Sequence, residues 1–444
     1  MTSTIDPSVI ELDRRHIWHP FTQAQTAPEP IAVSRGEGAT LFTEDGREIA
    51  DLISSWWVNL HGHAHPAIAG AIAQQAHRLE QVIFADFTHS PAARLAGRLA
   101  EVLPGDLHRV FFSDNGSTAV EVALKLAWQY WRNKGEGQRR RFLAFDGSYH
   151  GDTFGAMSAG IGCGFYEPFH DLLFAVDRMP YPATWDDDPE VQAKEAAALS
   201  WLDDWLAKHG REMVAVIIEP LVQGASGMRF CRPEFLRALA ERVRAAGALV
   251  IFDEVMTGFG RTGSLFASQK ASVTPDLICL SKGLTGGFLP LSATVCGTEI
   301  YDAFLGAGFD RAFAHGHSFT ANPLGCAAAL ASLDLTTSAE TAANLRRIEA
   351  RHRAGIAELS KHPKLAKGRV MGTIAAIEAT AIEGSGAGGY TAEVGQRLKR
   401  FFLDRGLLIR PLGPVIYLLP PYCVTDGQLD RAYAAIQDAA DTLL

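Results

Sequence analysis

Short apolar runs broken by polar turns alternate with segments of helical period through the middle of this chain. Arg109–Ser113 (RVFFS), Met213–Ile218 (MVAVII), Ala248–Phe252 (ALVIF) and Asp276–Leu280 (DLICL) are brief runs bounded by polar residues, Gly or Pro, the pattern of buried strands. Thr118–Trp131 and Pro233–Ala246 repeat their apolar residues at helical spacing. Such alternation predicts an α/β domain whose mostly parallel sheet is covered on both faces. From about Leu333 the pattern changes to a long helical stretch, a strand-like Arg369–Glu378, another helix, and an apolar Gly406–Leu419. That tail predicts a smaller α+β domain. The acidic segment Trp185–Glu190 and the Gly/Ser-rich Glu383–Gly389 are expected to be surface loops.

Composition narrows the class. The 444 residues are 47% hydrophobic and 20% charged, which is ordinary globular usage with ample chain for a large core. A net charge of −9 argues against nucleic acid or an acidic membrane as the main partner. The longest apolar runs fall far short of the roughly 20 residues that a membrane helix needs. Residues Met1 to Arg14 carry no apolar stretch of signal-peptide type. Six cysteines (Cys163, Cys231, Cys279, Cys296, Cys326, Cys423) lie far apart with no CxxC, as expected of a chain in a reducing cytoplasm.

In a doubly covered sheet, functional groups gather where strands end. Asp253 directly follows ALVIF, and Lys282 lies just past LICL, hemmed in by Ser281, Gly283 and apolar neighbours. A lone Asp there is as often a cap, and a lone Lys is usually solvated. Desolvation of that amine would lower its pKa and favour nucleophilic use. A lysine and an acid at neighbouring strand ends suit pyridoxal phosphate, which needs an amine for its aldehyde and an anion for its pyridinium nitrogen. Gly116 and Ser117 open the helical segment, where free amides and the helix dipole make an anion site; Ser117 as a plain N-cap is the simpler alternative. Tyr149, in Gly147–Gly151 (GSYHG), could stack on a flat ring or merely occupy a turn.

The ordered set SDNGSTAVEVALKLA, GSYHGDTFGAMS, IIEPLVQGASGM, FDEVMTGFGRTG, SKGLTGG and HSFTANPLGCAAALA resembles the class III pyridoxal-phosphate aminotransferases of fold type I, over nearly the whole chain. Within that family, HIWHPFTQ, SSWWVNLHGHAHP, RRFLAF (Arg140–Phe145) and LIRPLGPVIYLLPPY resemble the biotin-pathway members. The resemblance implies a large cofactor domain over 61–332, a small domain over 333–444, and an N-terminal segment, 1–60, joining the small domain and the pocket. It implies that Lys282 bonds the cofactor and moves the proton, that Asp253 partners the pyridinium, and that Gly116 and Ser117 cradle the phosphate. Tyr149 would stack on the ring and border the substrate, with Val255 and Gln223 completing the ring pocket. Ser318, with His317 beside it, would reach the phosphate from a partner subunit, making the enzyme a homodimer with shared sites. Phe21, Trp56, Trp57, Asp152 and Gly316 would border the substrate, Arg410 would bind its carboxylate bidentately, and Arg261 would be a further polar group nearby. The implied acceptor is 8-amino-7-oxononanoate and the implied donor S-adenosylmethionine or lysine. Phe21 stands where the best-known members have Tyr, so a hydroxyl is missing from the pocket. A broader ω-amino acid or polyamine transaminase has the same chemistry and stays open.

Three other patterns carry alternative readings. Gly258–Gly263 (GFGRTG) matches a dinucleotide fingerprint formally, which would make the chain a nicotinamide oxidoreductase. DEVMT separates it from the preceding strand, and no simple βαβ start is present. His61, His63 and His65, like His315 and His317, have the spacing of one strand face but no accompanying Cys or carboxylate, so no metal is expected. Trp128 and Trp131 are expected in the core. A non-catalytic binding homologue is disfavoured because every chemical position is filled.

Overall fold

The computed structural model describes residues 8–160, 166–380 and 393–444. Cys163 and the expected loop Glu383–Gly389 lie outside the described residues. Seven strands form the central sheet, in the spatial order Arg109–Ser113, Ser292–Cys296, Leu277–Leu280, Leu249–Asp253, Met213–Ile218, Arg141–Phe145, Asp177–Met179. Met213–Ile218, Leu249–Asp253 and Leu277–Leu280 are buried at every residue, as a strand covered on both faces must be. Their side chains divide between two hydrophobic clusters. Val214, Ile217, Ile251 and Cys279 pack with the helix Gly116–Asn133. Val216, Ile218, Val250, Phe252, Ile278 and Leu280 pack on the opposite face with the helix Pro233–Ala245.

Ser292–Cys296 (SATVC) runs antiparallel to both of its neighbours. Its polar letters hide it from an apolar-run reading, because its hydroxyls are satisfied internally. Ser292 Oγ meets Ser113 Oγ at 2.7 Å, and Thr294 Oγ1 donates to the Ala119 carbonyl at 2.7 Å. The expected helix Thr118–Trp131 is longer, Gly116–Asn133. The stretch beyond Leu333 is two helices, Pro323–Thr336 and Ala339–Leu359, because Ser338 caps the second with its side chain. Arg369–Glu378 is not one strand but the meeting of two, Leu365–Met371 and Ile374–Ala379. The chain reverses at Gly372, whose φ of +57° and close approach to Gly263 leave no room for a β-carbon.

A second core takes residues from both ends of the chain. Ala39, Ala50 and Leu52 pack with Val370, Ile377, Leu398, Phe402, Ile416 and Ile436. The join is a parallel pairing of Glu48–Asp51 with Leu407–Leu408. This pairing carries the Trp56–Trp57 turn and Arg410 to the same side of the central sheet's strand ends.

Candidate active site

Lys282 follows the buried strand Leu277–Leu280 by two residues and adopts φ +28°, an unusual backbone for a side chain. Its Nζ lies 5.3 Å from the centre of the Trp57 ring. Burial pushes its ammonium down from the ordinary lysine value, while Asp253, Glu219 and Asp152 pull the other way. Asp253 ends its own strand with one oxygen accepting from the Val255 amide at 3.0 Å. Its other oxygen is 2.7 Å from His150 Nδ1. A carboxylate only accepts, so Nδ1 carries the hydrogen, and the buried Nε2 is left without a partner among the described residues.

The helix Gly116–Asn133 begins beside this pair. Its N-cap is Asn115, not Ser117: the Asn115 side chain accepts from the Thr118 amide at 3.0 Å, and Thr118 Oγ1 accepts from the Asn115 amide at 3.1 Å. The first-turn amides of Gly116 and Ser117 have no carbonyl one turn back, as at any helix start. A β-carbon on Gly116 would sit 2.7 Å from Val255 Cγ1, so only glycine brings these amides so close to the Asp253 turn. Ser117 Oγ accepts from the Asp152 amide at 3.1 Å. A cavity of about 580 Å³ is lined by Gly116, Ser117, Tyr149, Asp253, Val255 and Lys282.

A second cavity of about 320 Å³ adjoins it, sharing Trp57, Tyr149 and Lys282. Its other walls include Phe21, Trp56, Tyr417 and Arg410. Phe21 meets Trp56 edge-on at 5.6 Å. The Arg410 guanidinium stands 5.0 Å from the Trp56 ring, and burial pushes its pKa down. Trp57 Nε1 donates to Tyr417 Oη at 2.9 Å, and Tyr149 Oη donates to Asp152 at 3.0 Å. Burial holds the Tyr149 phenol protonated.

Not every expected residue lines these walls. Gln223 is buried, with Nε2 on the Asp146 carbonyl at 3.3 Å and Oε1 unpartnered among the described residues. Arg261 is buried away from both cavities; it donates to the carbonyls of Pro420, Trp57 and Asn59, so it braces the tryptophan turn instead of facing substrate. Gly316, His317 and Ser318 belong to neither lining, and the Ser318 carbonyl accepts from Gln81. Two residues went unnoticed in the sequence. His150 orients Asp253. Glu219 lines the larger cavity and takes the amides of Tyr149 at 3.0 Å and Gly224 at 2.9 Å. The signal for Glu219 was present: a carboxyl directly after MVAVII, as Asp253 follows an apolar run.

The residues of the other patterns find partners elsewhere in the fold. Gly258–Gly263 forms consecutive turns and opens no helix. His61 contacts Thr336, and His63 contacts Asp51. Among the described residues no three His, Cys, Asp or Glu come together as a metal set. Trp128 stacks on Phe142, and Trp131 donates to the Val214 carbonyl.

The aminotransferase class-III family profile matches residues 21–440. The chain belongs to the class-III aminotransferases. A Synechococcus elongatus relative, an adenosylmethionine-8-amino-7-oxononanoate aminotransferase, is 58% identical over 96% of this chain and 99% of its own. The solved enzyme of that name from Methanocaldococcus jannaschii is 33% identical with a TM-score of 0.88, covering 96% of this chain and 98% of that one. A solved amine transaminase from an uncultivated Pseudomonas species, in its PLP-bound form, is 32% identical with a TM-score of 0.88, over 96% and 98% of the two chains. As in other class-III aminotransferases, the cofactor is pyridoxal phosphate, and the site fits it. Amides at a glycine-opened helix start suit a phosphate, a strand-end carboxylate held by His150 suits a pyridinium, and a desolvated lysine suits an aldehyde.

Proposed function

We propose that this transaminase moves an amino group from S-adenosylmethionine to 8-amino-7-oxononanoate, the 7,8-diaminononanoate step of biotin biosynthesis. The observation that carries the reading is the pairing of one lysine-bearing cavity with an aromatic annex ending in Arg410. An amino acceptor with a long apolar chain and a terminal carboxylate matches such an annex: Phe21, Trp56, Trp57 and Tyr417 take the chain, and the guanidinium takes the carboxylate. The S. elongatus relative supports the same substrates.

Bound pyridoxal phosphate supplies an aldehyde for the amine and a ring that accepts electrons from the substrate carbon. The residues supply the rest. Gly116 and Ser117 would hold the phosphate by their amides. Asp253, aligned by His150, would keep a proton on the ring nitrogen. Tyr149 and Val255 would confine the ring. Lys282, whose ammonium is destabilised by burial, would be the amine that holds the aldehyde and the base placed to move a proton at the substrate carbon.

The working form in this reading is a homodimer in the cytoplasm. Ser318 and His317 reach the phosphate of the partner's site, and Gly316 reaches its substrate. Their position outside this chain's own cavities supports that reading, as do the exposed Ile83, Phe87 and Phe319 on and beside the same segment. Among the described residues no helix is long and apolar enough to cross a membrane. The deciding assay offers S-adenosylmethionine, lysine and a simple primary amine as donors to 8-amino-7-oxononanoate. S-adenosylmethionine is expected to support turnover. Turnover with lysine alone would change the donor, and turnover with simple amines and keto acids alone would make the protein a broad ω-transaminase.

A further inference from the structure

The turn that carries Trp56 and Trp57 is strained along its length. Ser54, Ser55 and Trp57 all have φ between +52° and +67°, and Ser55 sits at φ 60°, ψ −85°, a conformation that costs energy for any residue with a β-carbon. Backbone strain of this kind persists only where the surroundings impose it, and it concentrates at functional sites. Here the surroundings centre on one carboxylate. Asp51, fully buried, ends the strand Glu48–Asp51 and accepts four hydrogen bonds: from the Ile53 amide at 3.2 Å, the Ser55 amide at 2.7 Å, Ser55 Oγ at 3.1 Å and His63 Nε2 at 3.0 Å. The last donor is fixed by a relay. Asn59 Oδ1 accepts from the Gly62 amide, so Asn59 Nδ2 donates to His63 Nδ1, and the imidazole hydrogen must lie on Nε2, facing Asp51. Ser54 Oγ ties the turn to the Leu419 carbonyl at 2.8 Å.

Asp51 also sets the opposite wall. It pairs with Leu408, two residues before Arg410. The same strand end thus aims the two tryptophans and fixes their distance from the arginine, which stacks over Trp56. We propose that Asp51 is a positioning residue for substrate selection: by holding the double-tryptophan turn in its strained form beside Arg410, it sets the length of chain accepted between Lys282 and the terminal carboxylate. The inference rests on the reading of Arg410 as the carboxylate ligand.

The test compares 8-amino-7-oxononanoate with its methyl ester as acceptors. Wild type should prefer the acid. In Asp51→Asn, where an amide NH₂ replaces an acceptor among donors, the preference should fall on the order of tenfold or more through KM for the acid. The visible cofactor band and turnover of the methyl ester should be unchanged, which a merely structural defect would not leave intact. Should Asp51→Asn fail to fold, Ser55→Gly decides: it removes both the hydroxyl donor and the β-carbon that restricts the turn, and should lower the preference with the band intact. A selective wild type whose folded variants stay equally selective overturns the assignment of Asp51 alone. A wild type indifferent to acid and ester overturns the Arg410 reading, and this inference with it.

Discussion

Glu219 stands one residue past the strand Met213–Ile218, buried, with both oxygens on backbone amides. Burial pushes its carboxyl up to about 7, with His150 pulling it down. The folded chain therefore keeps a proton that the unfolded chain releases above the ordinary value of 4.5. The stability contributed by this proton is complete below that value and is lost as pH rises through about 7. Glu254, whose carboxyl accepts from the Ala267 and Ser268 amides and is also pushed to about 7 by burial, adds a slope of the same sign. In Glu219→Gln the fall in stability between pH 4.5 and 7, measured by denaturant unfolding, should be shallower than in wild type; an identical slope would contradict the assignment. At this scale the sequence was most informative where one residue type has one use. Lys282 and Asp253 stood out by strand-end placement. His150 did not, and Arg261 was expected near the substrate instead of as a brace, because a histidine that aligns a carboxylate and an arginine that braces carbonyls are defined by partners distant in sequence, 103 residues away for Asp253 and 159 for Pro420.

Among the elements, the helix Gly116–Asn133 does two tasks. One face packs Val120, Ala123 and Ala127 against the sheet, while its first turn lines the larger cavity with Gly116 and Ser117. Gly116→Ala would press a β-carbon into Val255. Overpacking of that order should weaken pyridoxal phosphate binding roughly 10- to 100-fold, read by equilibrium titration of the cofactor band. The unfolding midpoint of the cofactor-free protein should change little, because Asn115 and Thr118 still cap the helix. Elements with a single dominant pattern, such as MVAVII and PEFLRALAERVRA, were legible from periodicity. SATVC was not, since its polar residues find partners only once the strand is seated. Nor was the reversal at Gly372, where the approach of a distant glycine turns one apolar run into two strands.

In the whole molecule, Arg369 is one of the side chains that tie the strands of the second core to the loop after Gly224. It lies on the strand Leu365–Met371, is 2% exposed, and donates to the carbonyls of Gly227 and Met228, each at 2.7 Å, while pairing with Glu378 at 3.1 Å. Arg369→Met keeps the volume but removes the donor to three carbonyls, those of Gly227, Met228 and Lys367, and leaves Glu378 with Lys367 as its remaining cation. It should cost about 2–4 kcal/mol in unfolding measurements. The loop it grips follows Gly224, against which the Trp57 ring packs, so substrate binding should weaken with it. That both chain ends would build one unit was expected from family resemblance; periodicity alone could not show that Glu48–Asp51 pairs with Leu407–Leu408. The account as a whole turns on Lys282 as the covalent attachment point. Reduction of the cofactor-loaded protein with borohydride, followed by peptide mapping by mass spectrometry, tests this directly. The account predicts loss of the visible band and a pyridoxyl-phosphate mass on the peptide containing Lys282, absent in Lys282→Ala. A reduced adduct on another lysine, or none, would contradict it.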